Sequence, residues 1–255
     1  MNNRVAIVTG AAQGLGAGIA RSLLEHDYRV VAADRAPFSA IHFRAAMPGN
    51  RAVAVQVDLS NPTSGEDLVA AAVTTFGRCD AVVNNAGVGG PSRRAADLSD
   101  DEIRDVMAVN LLGAVRLCRA SMPHLRATGS GRVINIGSVF AERPSPDDAA
   151  YGMSKAALAA LTRSIALEEG PHGVTANTIA PGYILTDMHV AEAAHQASLA
   201  GVDLDVRLAA YREEVPLRRH GTPEDVAHTV RWLLSPEASY ISGQVIRVDG
   251  ALSIT

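Results

Sequence analysis

Tyr151 and Lys155 stand four residues apart in a stretch, Ala149 to Glu169, with a helical pattern, so their side chains point the same way. A free phenol titrates near about 10, too high for an efficient base at neutral pH. A neighbouring ammonium favours the phenolate and is expected to lower that value, which makes Tyr151 a candidate proton-transfer group. Lys155 is the only lysine among 23 basic side chains; every other one is arginine. A guanidinium is bulkier than an ammonium and essentially never deprotonated, so arginine is no substitute at position 155. Ser138 follows the apolar run Arg132 to Ile136, and its hydroxyl can bond a substrate oxygen while Tyr151 moves the proton. Taken alone, Tyr-x-x-x-Lys is also an ordinary exposed helix pair.

A second constellation lies near the N-terminus. Thr9-Gly10-Ala11-Ala12-Gln13-Gly14-Leu15-Gly16 connects the β-branched run Val5 to Val8 with a helical stretch, Gly14 to His26. Glycines there permit a tight turn and close backbone approach to a pyrophosphate, while the helix N-terminus offers unpaired N–H groups to the anion. Asp34 ends the next strand, eighteen residues after Gly16. A carboxylate there suits the adenosine ribose diol and repels the 2′-phosphate of NADP. Arg35, its neighbour, is the kind of group that grips that phosphate, so NAD is favoured with NADP still open. Asp58 closes a third strand, where it either accepts from the adenine amino group or serves a turn before Asn61-Pro62. Asn84-Asn85-Ala86-Gly87 follows a fourth strand, at the edge where open α/β sheets bind ligands.

The elements that must carry these residues alternate strand with helix. Strands are expected at Val5–Val8, Arg29–Ala33, Ala52–Val57, Asp80–Val83, Arg132–Ile136, Val174–Ile179 and Gln244–Val248. Helices are expected at Gly14–His26, Gly65–Phe76, from the Ser99/Glu102 capping box to Arg126, at Ala149–Glu169, and from Thr222-Pro223 to Leu234. Such alternation implies parallel strands joined by right-handed crossovers, with helices on both faces. The expected fold is α/β, a Rossmann-type doubly wound domain spanning 1–255 with a seven-stranded parallel sheet. Residues 183–221 break the rhythm with weak helical periodicity and read as a substrate lid.

Composition excludes several classes. With 47% hydrophobic residues the chain is neither disordered nor fibrous, and a net charge of −4 argues against a nucleic-acid partner. No run reaches the length of a membrane helix, and Val5 to Val8 is too short for a signal peptide, so the expected location is the cytoplasm. Cys79 and Cys118 read as buried reduced thiols. The eight histidines form no His-x-x-x-His or His-x-His pair, so no metal is expected. His189 and His195 fall in the lid, where packing or surface roles suffice.

Together, the glycine turn, Asn84-Asn85-Ala86-Gly87, Ser138, Tyr151 and Lys155 resemble the short-chain dehydrogenase/reductase family, in its compact single-domain branch. The resemblance runs from Arg4 to Gly250. The family's Thr-Gly-x-x-x-Gly-x-Gly is met by Thr9, Gly10, Gly14 and Gly16, and its Asn-Ser-Tyr-Lys tetrad by Asn110, Ser138, Tyr151 and Lys155. Its Pro-Gly and downstream threonine, which contacts the nicotinamide carboxamide, are met by Pro181, Gly182 and Thr186.

The resemblance implies that Tyr151 is the general acid/base, that Lys155 holds the nicotinamide ribose and keeps the tyrosine pKa low, and that Ser138 orients the substrate oxygen. Asn110 would hold a water linking Lys155 to solvent. Cofactor contacts are implied at Gly10, Gln13, Gly14, Leu15 and Gly16, at Asp34, Arg35, Asp58 and Leu59, and at Asn85, Ala86 and Gly87. Further contacts are implied at Asn110, Tyr151, Lys155, Pro181, Gly182, Ile184 and Thr186. The expected activity is NAD(H)-linked interconversion of a secondary alcohol, polyol, sugar or cyclic diol with its ketone, in a homotetramer. Two other readings stand beside it: an NADPH-dependent 3-oxoacyl thioester reductase, and a non-catalytic dinucleotide sensor. Substrate walls are expected from Val139 to Ala149, Tyr183, and Met188 to Val215, with Arg143 either an anion contact or a solvated loop residue.

Overall fold

The computed structural model describes residues 4–38 and 51–254. Seven strands form one sheet: β1 (Val5–Thr9), β2 (Arg29–Asp34), β3 (Ala52–Gln56), β4 (Ala81–Asn84), β5 (Arg132–Ile136), β6 (Thr175–Pro181) and β7 (Val245–Val248). Their order is β3-β2-β1-β4-β5-β6-β7, with every pairing parallel. The helices are α1 (Gly14–Glu25), α2 (Ser64–Phe76), α3 (Asp100–Met107), α4 (Gly113–Ala127), α5 (Ala149–Glu169), α6 (Asp187–Ala200), α7 (Leu204–Glu214) and α8 (Pro223–Leu234).

Strand β1 explains the layering. All five of its residues are buried, because successive side chains enter opposite cores. Ala6 and Val8 pack with Ile19, Leu23, Val230 and Leu233 of α1 and α8. Val5 and Ile7 pack with Leu68, Leu117 and Ile165 of α2, α4 and α5. Each such Val, Ile or Leu contributes about 1.5–3 kcal/mol relative to exposure. Both capping boxes form, Ser99 with Glu102 and Thr222 with Asp225.

Register brings the chemistry to one edge. Thr9 pairs with Ala33, Val8 with Val83, Asn84 with Asn135, Ile136 with Ile179 and Pro181 with Val248. Gly10, Asp34, Asn85, Ser138 and Gly182 therefore all leave the sheet at its carboxyl edge. The chain reverses its winding between β1 and β4, and that switch point is where open α/β sheets form a ligand crevice.

Two stretches differ from expectation. The region from Ser99 to Arg126 is interrupted: a π-turn, Ala108–Leu112, separates α3 from α4. Residues 183–221 hold two full helices, α6 and α7, with Tyr183 and Ile184 tied to Gly221 by backbone hydrogen bonds and a bridge.

Candidate active site

The glycine turn is locked from β4. Thr9 Oγ1 accepts the N–H groups of Asn85 and Ala86 at 3.0 and 3.1 Å, while Asn85 Nδ2 donates to the carbonyls of Thr9 and Gly10 at 2.8 and 3.2 Å. Gly10 has φ +66°, and a Cβ on Gly16 would lie 2.0 Å from the Gly10 carbonyl oxygen, so no larger residue closes this turn. The Asn85 amide is thereby spent on the turn. Gln13 precedes α1 without a side-chain capping bond, which leaves the helix N-terminus open.

Asp34 is fixed beside that opening. Its Oδ2 accepts the Ala12 N–H and its Oδ1 the Ala36 N–H, both at 2.9 Å. Arg35 is exposed, and its charge is felt at Asp58. The Asp58 carboxyl is held below the usual range mainly by Ser60, whose N–H it accepts at 2.8 Å. Leu59 is buried, with its side chain against Gly113 and its carbonyl accepting from Arg116 at 2.9 Å. Its side chain thus belongs to the core.

Asn110 sits in the π-turn and is buried. Its Oδ1 accepts the Val88 N–H at 2.8 Å, and its Nδ2 donates to the Val88 carbonyl at 2.9 Å and to Ser154 Oγ at 3.0 Å. Ser154 in turn donates to the Tyr151 carbonyl at 2.7 Å. The Asn110 side chain is therefore a tie between the β4 loop and α5. Gly87 keeps the space beside it: a Cβ there would come within 3.3 Å of both Asn110 Oδ1 and Lys155 Nζ. Asn84 plays a similar tying part below: its Nδ2 donates to Asn135 Oδ1 at 2.8 Å, and Asn135 Nδ2 donates onward to Thr162 Oγ1 of α5 at 2.8 Å.

Tyr151, Ser138 and Lys155 converge as the spacing expected. Ser138 neighbours Tyr151 and favours the ionised form of its phenol, and its Oγ accepts the Phe140 N–H at 3.2 Å. Lys155 is buried, and its Nζ donates to the Ile136 carbonyl at 2.8 Å, 5.5 Å from the Tyr151 ring centroid. The electrostatics correct one expectation. Burial pushes the Tyr151 phenol up to about 12, with Ser138 opposing and the Asp148 charge adding to the rise. Burial likewise brings the Lys155 ammonium down to about 8. The ammonium is committed to the β5 carbonyl, so desolvation governs the phenol.

The end of β6 and the segment after it adjoin both constellations. Pro181 ends β6, and a Cβ on Gly182 would lie 2.8 Å from Asp249 Cβ. Ile184 is buried; Thr186 caps α6 and lies against Gly14, 3.7 Å from where a Cβ would stand. An aromatic cluster follows that the sequence pattern did not reveal. Tyr183 stacks on His189 with centroids 5.3 Å apart, Tyr211 and His220 meet the same imidazole at 5.2 and 5.1 Å, and Phe140 reaches Tyr183 at 6.0 Å. Burial lowers the His189 imidazole to about 4, so it is neutral there. Cys79 and Cys118 are buried, and desolvation pushes both thiols up to about 12, which keeps them unreactive.

Comparison with known proteins agrees with this geometry. The family model described as Enoyl-(Acyl carrier protein) reductase matches residues 10–253. The short-chain reductase protein NovJ of Streptomyces niveus is 38% identical over 96% of this chain and 92% of its own. The cis-4-hydroxycyclohexanecarboxylate dehydrogenase of Sinomonas cyclohexanicum is 34% identical over 97% of this chain and 95% of its own. Among solved structures, levodione reductase superposes with a TM-score of 0.93 at 29% identity, covering 99% of this chain and 98% of that one. With its sheet order, glycine turn and Ser138–Tyr151–Lys155 cluster on one edge, the chain belongs to the short-chain dehydrogenase/reductase family of oxidoreductases.

Proposed function

We propose that the protein interconverts a secondary alcohol and its ketone with NAD(H), using Tyr151 as general acid/base. The observation that carries this reading is the convergence of Ser138, just past β5, with Tyr151 and the buried Lys155 ammonium, which stands 5.5 Å from the Tyr151 ring centroid. Two hydroxyls at one point can hold a substrate oxygen between them. With its pKa raised to about 12, the phenol is protonated at neutral pH and set to donate to a ketone oxygen. Lys155, brought to about 8, is poised to exchange a proton near neutrality. In the alcohol direction the same groups run in reverse, with Tyr151 receiving the proton.

The cofactor cradle fits a dinucleotide. Glycines 10, 14 and 16 shape the turn where side chains would collide or strain, and the N-terminus of α1, which has no side-chain cap, suits a pyrophosphate. Asp34 keeps a lone pair on each carboxylate oxygen for a ribose diol and sets a negative charge where NADP would carry its phosphate, which favours NAD. Lys155 would hold the nicotinamide ribose, and Thr186, against Gly14, the carboxamide. When bound, the nicotinamide exchanges hydride with the substrate carbon.

A cyclic secondary alcohol or ketone is the favoured substrate class, as in the name of the Sinomonas relative. We read residues 1–255 as one cytoplasmic domain with residues 183–221 as lid, assembled as a homotetramer through α4 and α5. Met153 and Leu167, exposed on α5, support that assembly. The test is NADH absorbance over a panel of secondary alcohols with NAD and NADP. Turnover confined to 3-oxoacyl thioesters with NADPH would replace this reading.

A further inference from the structure

His189 and His220 take no part in the chemistry given to Tyr151, yet both meet at the foot of α6 and α7. The two ends of residues 183–221 are tied together there: Gly221 donates to the Tyr183 carbonyl and accepts the Leu185 N–H, both at 2.9 Å. Tyr183 and His220 thus belong to a base at the end of β6, while His189 and Tyr211 arrive on α6 and α7. Ring contacts join helices to base. His189 lies 5.3 Å from Tyr183 and 5.1 Å from His220, Tyr211 lies 4.5 Å from Tyr183, and Phe140, two residues past Ser138, lies 6.0 Å from Tyr183. The other buried residues of these helices are only Ala193 and Ala197. The closed position of α6 and α7 therefore depends heavily on the rings.

The two imidazoles are poorly served as bases. His189 Nε2 and His220 Nδ1 are both buried, and no group among the described residues bonds either atom. His220 Nε2 meets the Leu208 carbonyl at 3.1 Å, so a neutral ring donates there and keeps Nδ1 as an unused acceptor. A proton added to such a nitrogen buries a charged donor without an acceptor, which costs far more than an unused lone pair. The surrounding charges offer no relief. On α7, the Arg207 guanidinium lies 4.0 Å from the Tyr211 ring centroid, Arg212 bears on His220, and Glu214 accepts the Tyr183 hydroxyl at 3.0 Å. On α6, Asp187 stands in the first turn and Glu192 accepts from Gln196 at 2.9 Å. Before α8, Arg218 and Arg219 pair with Glu213 and Asp225 at 2.8 and 2.6 Å. Arg143, in the segment after Ser138, donates to the Leu252 carbonyl at 2.6 Å, and its charge reaches Tyr183. Among the described residues no carboxylate bonds either imidazole.

We propose that His189 and His220 form a pH-sensitive latch: while neutral they let α6 and α7 close on Tyr183 and Phe140 beside Ser138, and protonation of either ring releases the helices. Thr186, which caps α6, lies against Gly14, so release also loosens the glycine turn's outer neighbour. Burial lowers both imidazoles, His189 from 6.5 to about 4, and opening restores the ordinary value. Below pH 6.5 the open form then binds protons more tightly, so opening is favoured as pH falls. This rests on the reading of residues 183–221 as a lid.

The test is deuterium uptake by peptides from 187–214 of the full chain at about pH 5.5 and about pH 8, corrected for the intrinsic effect of pH on exchange. Opening is expected to be about tenfold more frequent at the lower pH, the factor that one ring shifted from 6.5 to about 4 supplies, while α2 and β5 peptides stay unchanged. His189→Phe keeps a stacked ring that cannot titrate, and His220→Gln keeps a donor for the Leu208 carbonyl. The double variant should show the same opening at both pH values within about twofold. Should it fail to fold, His189→Phe alone must lower the ratio at least about threefold. A wild-type ratio below about twofold overturns the latch, as does a tenfold ratio that survives these substitutions or a rise shared equally by α2 and β5. The lid reading has its own readout: at about pH 8, saturating NADH should slow exchange across 187–214. If NADH leaves that exchange unaltered, the lid reading falls and the latch with it. Protection by NADH without the pH ratio overturns the latch alone.

Discussion

Lys155 Nζ donates to the Ile136 carbonyl at 2.8 Å, which pins the chain's single lysine to the end of β5, two residues before Ser138. The residue is only 3% exposed, so its charge is held largely away from water. That contact explains how one ammonium can stand behind Tyr151 without being paired to a carboxylate.

A stability consequence follows from the depressed pKa. The ordinary value is 10.5 and the folded one about 8, so between them the unfolded chain binds the proton more tightly. Charge at this position therefore costs stability below pH 8, and the cost is relieved as pH rises toward 10.5. For Lys155→Met, the Tm of the variant minus that of the wild type is expected to be larger at pH 7 than at pH 10. A difference flat across that window would mean that the ammonium is well solvated. Lys155→Arg should lower kcat by roughly 100-fold or more, since the guanidinium neither fits nor exchanges a proton.

Cofactor preference should turn on Asp34. Asp34→Asn keeps an oxygen for the Ala12 N–H while removing the charge. The ratio of kcat/KM for NADP to that for NAD is expected to rise on the order of tenfold or more, because a like-charge clash is relieved. An unchanged ratio would mean that Asp34 does not face the adenosine ribose.

Asn110→Ala should destabilise the fold as well as slow the enzyme. It strands the half-buried N–H and carbonyl of Val88 and takes a donor from the buried Ser154. The expected cost is about 2–3 kcal/mol, read as a lowered urea midpoint at constant m. A shift under about 0.5 kcal/mol would show that water replaces the amide freely.

The sheet was legible because β1 and β2 are near-continuous apolar runs buried on both faces, and because Ser99 and Thr222 announce their helices by capping chemistry. The cluster of Ser138, Tyr151 and Lys155 was legible from strand ends and helical spacing. The lid helices were not. The buried residues of α6 are Ala193 and Ala197, and that of α7 is Tyr211, too narrow a stripe to set a clear period. The π-turn that carries Asn110 escaped because an extra residue in a helical register leaves no mark on residue types. Spacing sets Lys155 near Tyr151 and so points to a lowered phenol pKa; only the fold shows the burial that raises it and the Ile136 carbonyl that accepts the ammonium's hydrogen bond.

The most direct test of the central claim is single-turnover NADH formation by Tyr151→Phe beside the wild type, with NADH affinity measured by fluorescence. Phenylalanine keeps the ring and removes only the phenol hydroxyl beside Ser138. The expected result is NADH binding retained and the rate reduced by roughly 100- to 10,000-fold. A Phe variant that binds NADH and turns over within a few-fold of the wild type would contradict Tyr151 as the proton-transfer group.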